Sequence, residues 1–270
     1  MQASVFRLSM AHPGDVSALD ELFAKGLLAP EHIAAVIGKT EGNGGVNDFT
    51  RGYFTQSLMG LLGRKLGAPP EELIRRIPCV LSGGTEGVLS PHYVVLARSG
   101  TAPAAPHAQQ ALAIGTAISA ALPAEQVGRN AHVQSVAAAV KAAMAEAHII
   151  DPRDVHFVQV KCPCITSARA ESAKVRGQTV VTTDPNRSMA LARAAGAFGV
   201  ALALGEIEAV DESAMLRDFG VLSNCASISS GVEVEANEVI VLGNSRHWSG
   251  DLVIAHRPMA DALDIGGVVA

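Results

Sequence analysis

The sequence predicts an α/β protein built from large repeated units. Segments with strand character and segments with helix character alternate along the chain, which is typical of central strands covered by helices. At 270 residues, with 49% hydrophobic and 17% charged residues, the chain is long and apolar enough for a substantial core. Its internal repeats lie more than 100 residues apart, which indicates duplication of whole domains and not a solenoid.

The duplication is visible in two pairs of segments. A proline leads through an apolar strand to a lysine nine residues later at 30–39, which ends at Lys39, and again at 152–161, which ends at Lys161. Ser82 precedes the apolar run 94–96 by twelve residues, and Ser227 precedes the run 239–242 by twelve. We therefore treat Ser82 and Ser227 as equivalent residues of two units.

An arginine lies between the lysine and the serine of each unit. Arg51 is 31 residues before Ser82, and Arg193 is 34 residues before Ser227. A lysine, an arginine and a serine that recur in the same order predict polar groups converging on one shared centre.

The predicted first unit, 1–104, has strands at 4–8, 33–37, 78–81 and 93–97 and helices at 16–28 and 48–66. A glycine-rich stretch at 40–47 predicts a loop after Lys39, and a second loop is expected at 82–91. The Ala- and Pro-rich stretch 101–106 is the predicted linker.

The predicted second unit, 105–249, repeats this order. Its expected strands are 111–118, 155–160 and 239–242, its helices are 133–148 and part of 187–204, and a serine-bearing loop is expected at 221–230. The segment 251–255 has the pattern of an opening strand, so we expect 250–270 to begin a third unit; the alternative is a tail strand that closes the second.

Composition excludes several classes of function. A net charge of −5 and an aromatic content of 4% argue against nucleic-acid binding. No secretory signal opens the chain, and its longest run of apolar and small residues, 194–205, is too short to cross a membrane. The four cysteines lack zinc or redox spacing, so we expect reduced thiols, no metal site in this chain and a cytoplasmic protein.

The sequence does not match two familiar motifs, the phosphate-binding loop and the nucleophile elbow. The sequence Gly38-Lys39-Thr40 lacks the earlier glycine of a phosphate-binding loop and is followed by further glycines instead of a helix. The sequence around Ser82 lacks the glycine that a nucleophile elbow places two residues before the serine.

The residue that does recur with serine is lysine. A lysine activates a serine only when it is neutral, and burial or a neighbouring arginine lowers a lysine pKa in that direction. Taken singly, a lysine at a strand end, a serine in a Ser-Gly-Gly turn and an arginine on a helix are ordinary surface residues. As a set repeated in order they predict an acyl-transfer site, with each lysine within hydrogen-bond reach of its serine.

Three stretches of the sequence closely resemble the ring-opening amidohydrolases, the family of cyanuric acid hydrolase and barbiturase. They are GKTEGNGGVNDFTR at 38–51, SGGTEGVLSPH at 82–92 and VQVKCP at 158–163, and the resemblance extends from Val5 to about Asp264. It implies three α/β repeats about a pseudo-threefold axis, with a central β-barrel, outer helices and a pocket shared by one Lys, one Arg and one Ser from each repeat.

The resemblance also implies roles for individual residues. Ser227 is the expected nucleophile and Lys161 its base. The expected substrate-binding groups are Arg51, Arg193, Lys39, Ser82, Gly83 and the backbone at Ile228. From the sequence alone, either Lys–Ser pair can be the reactive one.

The implied reaction opens the s-triazine ring of cyanuric acid to carboxybiuret, which loses carbon dioxide to give biuret. Barbituric acid is the alternative substrate, and a non-catalytic remnant that binds a ligand or partner is the alternative from another class. No cofactor is implied for catalysis. The family's structural metal site is expected in the third repeat, which is largely missing from this chain, and a homo-oligomer is implied.

Overall fold

A computed structural model describes residues 1–85, 89–103, 105–220, 223–261 and 263–269. Its strands form two four-stranded mixed sheets, with the strand orders β1-β4-β2-β3 and β5-β8-β6-β7, and helices pack against both. The α/β class predicted from the alternating segments is confirmed.

The first sheet and its helices are formed by the N-terminal part of the chain. The strands are β1 (Gln2–Ser9), β2 (Ile33–Lys39), β3 (Cys79–Ser82) and β4 (His92–Ser99), and the helices are α1 (Ser17–Ala24), α2 (Thr50–Leu66) and α3 (Pro70–Leu73). The glycine-rich segment after Lys39 is a loop, as predicted, because its glycines cannot sustain a helix.

The second sheet repeats this arrangement. Its strands are β5 (Ala111–Ala121), β6 (Val155–Pro163), β7 (Ala226–Gly231) and β8 (Ala236–Ser245), and the helices are α4 (Asn130–Glu146), α5 (Ser167–Val175) and α6 (Pro185–Leu204). The last helix, α7 (Ile265–Val269), lies beyond both sheets in sequence.

The two sheets have the same pairing pattern. β4 runs antiparallel between β1 and β2, and β3 runs parallel to β2 on the far side. β8 lies in the same way between β5 and β6, with β7 parallel to β6. In each sheet, the strand that carries the lysine therefore pairs with a parallel edge strand that carries at least one serine. The lysine strands are β2 and β6, and their serine-bearing neighbours are β3 and β7.

A single apolar core joins the sheets. It combines Ala34, Val80 and Leu96 of the first sheet with the inner face of the second and with helix α4. A separate cluster, built on Phe54 and Tyr93, fills the space beneath helix α2. The central packing therefore fixes how the serine-bearing edges of the two sheets lie relative to each other.

Two predictions about the second half need correction, and one helix was missed. The segment expected to be a serine loop contains strand β7, so Ser227 lies in a strand; Val221 and Leu222 lie outside the described residues. Residues 251–255 form no strand and instead lie beside the second sheet, where Ile254 exchanges hydrogen bonds with the Asn244 side chain. Helix α5 was not predicted.

The central barrel implied by the resemblance is not confirmed. Between the two sheets, the described strands share no ladder of hydrogen bonds. Outside the sheets, an isolated backbone bridge joins Gln2 to Ser249.

Helix α6 is, among the described residues, the one helix that is long and apolar enough to cross a membrane by length and composition. Its most apolar window is 61% buried inside the protein. A core helix passes the same test, so this helix is weak evidence for a membrane span. The four cysteines are buried and free of disulfides.

Gly115 provides a test of the packing between β5 and α4. A Cβ atom at this position would lie 1.9 Å from the carbonyl oxygen of Ala143, and a helix backbone cannot move aside cheaply. We expect Gly115→Ala to reduce the free energy of unfolding by about 1–3 kcal/mol in urea denaturation.

The matched control is Gly52→Ala in helix α2, where a Cβ atom meets nothing within 4 Å. Because alanine favours a helix over glycine, this change should stabilise the protein by about 0.5–1 kcal/mol. Equal effects of the two substitutions would contradict the described packing.

Candidate active site

Strand register decides which serine lies beside which lysine. In the first sheet Lys39 is the ladder partner of Ser82. In the second sheet Lys161 is the partner of Ser229, whereas Ser227 is opposite Gln159. The predicted equivalence of Ser82 and Ser227 is therefore wrong, and Ser229 occupies the position that corresponds to Ser82.

The equal spacing of twelve residues does not mean that Ser82 and Ser227 occupy equal positions in their ladders. Lys39 pairs with Ser82 on one side and His92 on the other, and these two residues are ten apart in sequence. Lys161 pairs with Ser229 and Glu238, which are only nine apart. The apolar run that follows also starts one residue earlier relative to the ladder. The two offsets add up to the two residues that separate Ser227 from Ser229.

The side chain of Lys161 reaches the first sheet. It is 1% exposed, and its Nζ donates a hydrogen bond to the carbonyl oxygen of Leu81 at 2.8 Å. The same Nζ lies 2.6 Å from Oε1 of Glu233. The expected hydrogen bonds from Lys161 to Ser227 and from Lys39 to Ser82 are not formed in the described residues, since Lys39 Nζ donates to the Gly83 carbonyl at 2.9 Å.

These contacts cover the free edge of strand β3. Pro78 and Ser82 direct their carbonyls toward β2, so the alternating residues Cys79 and Leu81 direct their backbone groups away from it. The Cys79 N–H donates to Oε2 of Glu238 at 2.9 Å, while Leu81 accepts from Lys161. Two buried charged side chains thus satisfy a strand edge that would otherwise be unpaired.

Arg51 links Lys161 to the glycine-rich loop. Its guanidinium is 2% exposed, donates to the Gly45 carbonyl at 3.0 Å and lies 3.7 Å from Asp48. Its Nε lies 2.9 Å from the same Glu233 oxygen that contacts Lys161. The contacts of Glu233 have the distances of ion pairs but not the angles of hydrogen bonds, so charge holds this carboxylate.

Two glycines leave room for the carboxylates of Asp48 and Glu233. A Cβ atom at Gly83 would lie 1.8 Å from Oδ2 of Asp48, and one at Gly231 would lie 2.1 Å from Oε2 of Glu233. Asp48 accepts a hydrogen bond from the Gly44 N–H at 2.9 Å and others from Thr50. The loop after Lys39 is thereby closed onto Ser82 and Gly83.

The surroundings of Lys161 lower its pKa. Burial lowers the pKa of Lys161, and the charge of Arg51 lowers it further, while Glu233 and Glu238 oppose the shift. For Asp48, burial disfavours ionisation, but hydrogen bonds from Thr50 and Gly44 and the charge of Arg51 keep its pKa below the usual value. The cluster therefore combines a lysine and an aspartate that both have lowered pKa values.

Two serine hydroxyls of strand β7 lack a hydrogen-bond partner in the part of the chain that the structure describes. Within the described residues, the Oγ atoms of Ser229 and Ser230 are buried and have no hydrogen-bond partner. A buried hydroxyl without a partner is costly and is typical of functional positions. Ser229 is the ladder partner of Lys161, the most buried lysine of the chain, whereas Ser230 is the partner of Cys162 and points to the opposite face of the sheet.

Arg193 is not brought to this cluster. It is exposed on helix α6 and lines a separate hollow of about 260 Å³ together with Ile228 and Phe219. Arg51, in contrast, stands in the first turn of α2 and is buried. The predicted pairing of Arg51 with Arg193 about one centre is not seen in this arrangement of the chain.

Sequence analysis missed four residues of the cluster, namely Asp48, Ser229, Glu233 and Glu238. One signal was available. Glu233 follows Ser229 by four residues, as Glu86 follows Ser82, although Glu86 lies outside the described residues. Among the residues that the structure describes, no group of three or more His, Cys, Asp or Glu side chains is arranged to hold a metal ion.

The comparisons with known proteins agree with the resemblance. The family model described as "Amidohydrolase ring-opening protein" matches residues 4–270, so the chain belongs to this family of ring-opening amidohydrolases. A cyanuric acid amidohydrolase of Azorhizobium caulinodans is 50% identical over 99% of this chain and 74% of its own length. One of Pseudomonas sp. strain ADP is 48% identical, over 98% and 73% respectively.

A solved structure supports the same relation. It is described as "Cyanuric acid hydrolase: evolutionary innovation by structural concatenation", and its TM-score to this chain is 0.94 at 46% identity. The match covers 99% of this chain and 74% of the other. The chain therefore spans about three quarters of the length of these relatives.

Arg51 offers a direct test of the cluster. Arg51→Met removes one cation from Glu233 and Asp48, and breaking a buried ion pair costs about 3–5 kcal/mol. Arg51→Lys keeps the charge but cannot reach three partners at once, so its loss should be intermediate. Both are measured by chemical denaturation.

The control is Lys25→Ala, which breaks an exposed ion pair with Glu21 on helix α1 and should leave stability unchanged. If Arg51→Met were as harmless as Lys25→Ala, the buried cluster would not be a stabilising unit.

Proposed function

We propose that this chain hydrolyses a ring amide bond of cyanuric acid, opening the s-triazine ring. Membership of the family and the names of the relatives give the substrate class, and the similarity to cyanuric acid amidohydrolases favours cyanuric over barbituric acid. The observation that carries the chemistry is the buried Lys161 beside Ser229, whose hydroxyl is buried and unpaired.

In the proposed mechanism, Ser229 is the nucleophile in place of Ser227. Neutral Lys161 accepts the Ser229 proton as the Oγ atom attacks a ring carbonyl, and it returns that proton to the departing ring nitrogen when the C–N bond breaks. Water then hydrolyses the acyl-enzyme to carboxybiuret, which loses carbon dioxide to give biuret. The step requires the Lys161 amine to turn from the Leu81 carbonyl toward the serine.

The substrate-binding roles follow from where each group lies. Lys39, Ser82 and Gly83 sit together at the end of the first sheet, and we propose that they bind ring oxygens through side-chain and backbone donors. Arg51 is held by Glu233, Asp48 and Gly45, so its proposed role is to position Glu233 beside Lys161. Arg193 and the backbone at Ile228, which line the separate hollow on helix α6, remain proposed contacts to the substrate.

The strand edges support a repeated architecture of units 1–104 and 105–249. Leu81 and Ile228 occupy corresponding positions, because the Val36 and Val158 N–H groups donate hydrogen bonds to the carbonyls of Pro78 and Cys225 in the same register. Lys161 covers the Leu81 carbonyl. A third unit related in the same way would present its own lysine to Ile228, which fits the pseudo-threefold barrel, and residues 250–270 are its proposed beginning.

The serine assignment is tested by two alanine variants. Ser229→Ala should lower biuret formation from cyanuric acid by on the order of 10⁴-fold or more, because no neighbour replaces the bond-forming oxygen. Ser227→Ala, two residues along the same strand, should retain most activity. Both variants should still bind the substrate in calorimetry.

An active Ser229→Ala variant together with an inactive Ser227→Ala variant would restore the original assignment. If the unmodified chain forms no biuret but binds cyanuric acid, the hypothesis of a non-catalytic remnant is favoured.

A further inference from the structure

Glu238 is a buried carboxylate that the proposed mechanism does not use. It lies on strand β8 as the ladder partner of Lys161 on β6 and is 7% exposed. Its Oε2 accepts a hydrogen bond from the Cys79 N–H. An ionisable side chain at such a position is costly, and a neutral side chain with the same acceptor would satisfy Cys79 equally well.

The corresponding position in the first sheet differs in charge. Lys39 has His92 as its ladder partner on β4, and the His92 ring is engaged locally with the Ser90 carbonyl. The two lysines therefore share a serine on one neighbouring strand but differ on the other. Of the two lysines, Lys161 has a glutamate as its ladder partner and Lys39 does not.

The charged and titratable groups around Glu238 come from four elements. Lys161 faces it from β6, Cys79 from β3 and Glu233 from the connection that follows β7, while Arg51 of α2 joins the same cluster through Glu233. Burial raises the pKa of Glu238 to about 7, against the opposing effects of the Cys79 hydrogen bond and the Lys161 charge. Burial also raises the pKa of the Cys79 thiol to about 12, so that thiol stays neutral.

We propose that Glu238 is a positioning residue that biases Lys161 toward its ammonium form, and that it makes the second Lys–Ser pair chemically different from the first. This inference rests on the proposed function, in which Lys161 is the base. Lys161 and Glu238 are not within ion-pair distance in the described structure, so Glu238 acts through its field and through the β3 edge that both residues cover.

The physical consequence has a definite sign. An ionised Glu238 stabilises the ammonium form of Lys161, and a neutral Glu238 releases that stabilisation and favours the free amine. Replacing the carboxylate by an amide should therefore lower the pKa of Lys161. The acidic limb of the kcat/KM profile, which reports the base of the free enzyme, should move to lower pH.

The test is Glu238→Gln, which keeps an oxygen to accept from the Cys79 N–H and removes only the charge. In protein labelled with ¹⁵N-lysine, the titration of Lys161, assigned by its loss in Lys161→Met, should shift down by about one pH unit. The kcat/KM profile should shift by the same amount with KM unchanged. A structural role of Glu238 alone would move neither quantity.

Three further variants complete the design. Glu238→His places the residue of the first sheet at this position and should shift the Lys161 titration in the same direction, which keeps the test open if the amide variant folds poorly. Glu238→Asp should restore the titration toward that of the unmodified protein. His92→Gln, at the matching position beside Lys39, should leave the Lys161 titration unchanged.

An unchanged Lys161 titration in folded Glu238→Gln and Glu238→His would overturn the proposal. Absence of cyanuric acid hydrolysis by the unmodified chain would count against the proposed function and not against this inference, because the lysine titration is measured without substrate.

Discussion

The free edge of strand β3 is the constraint on which the rest of this structure depends. Cys79 and Leu81 present a backbone donor and acceptor away from their own sheet, and the second sheet satisfies both with the side chains of Glu238 and Lys161. Because each contact is a hydrogen bond between a backbone group and a buried ionisable side chain, it constrains the separation of the sheets. The same two bonds therefore serve as structural contacts and as the frame of the site.

That arrangement explains why so many charges are buried in one place. Burying Lys161 and Arg51 would be unfavourable if either lacked a carboxylate, and Glu233 lies within ion-pair distance of both. Asp48 in turn ties Arg51 to the glycine-rich loop. Such a cluster adds less to stability than an apolar core of the same volume, but it holds a lysine in a setting that lowers its pKa.

Sequence analysis predicted the α/β class, most elements and both lysines, because proline, glycine and apolar periodicity are local signals. It placed Lys161 correctly in a buried strand, although β6 continues two residues further, to Pro163. It misplaced the serine, because the register of a parallel ladder depends on the length of a connection and not on spacing to the next apolar run. Glu238 was missed since a glutamate between apolar residues carries no local sign that it will face a lysine across the sheet.

The most direct test of this account is a double-mutant cycle on Lys161→Met and Glu233→Gln, followed by chemical denaturation. If the buried lysine, its carboxylate and the β3 edge form one unit, the two changes should be strongly non-additive, with a coupling free energy of at least about 1 kcal/mol. Losses that simply add would show that Lys161 and Glu233 act independently, and would contradict the central place given to this contact.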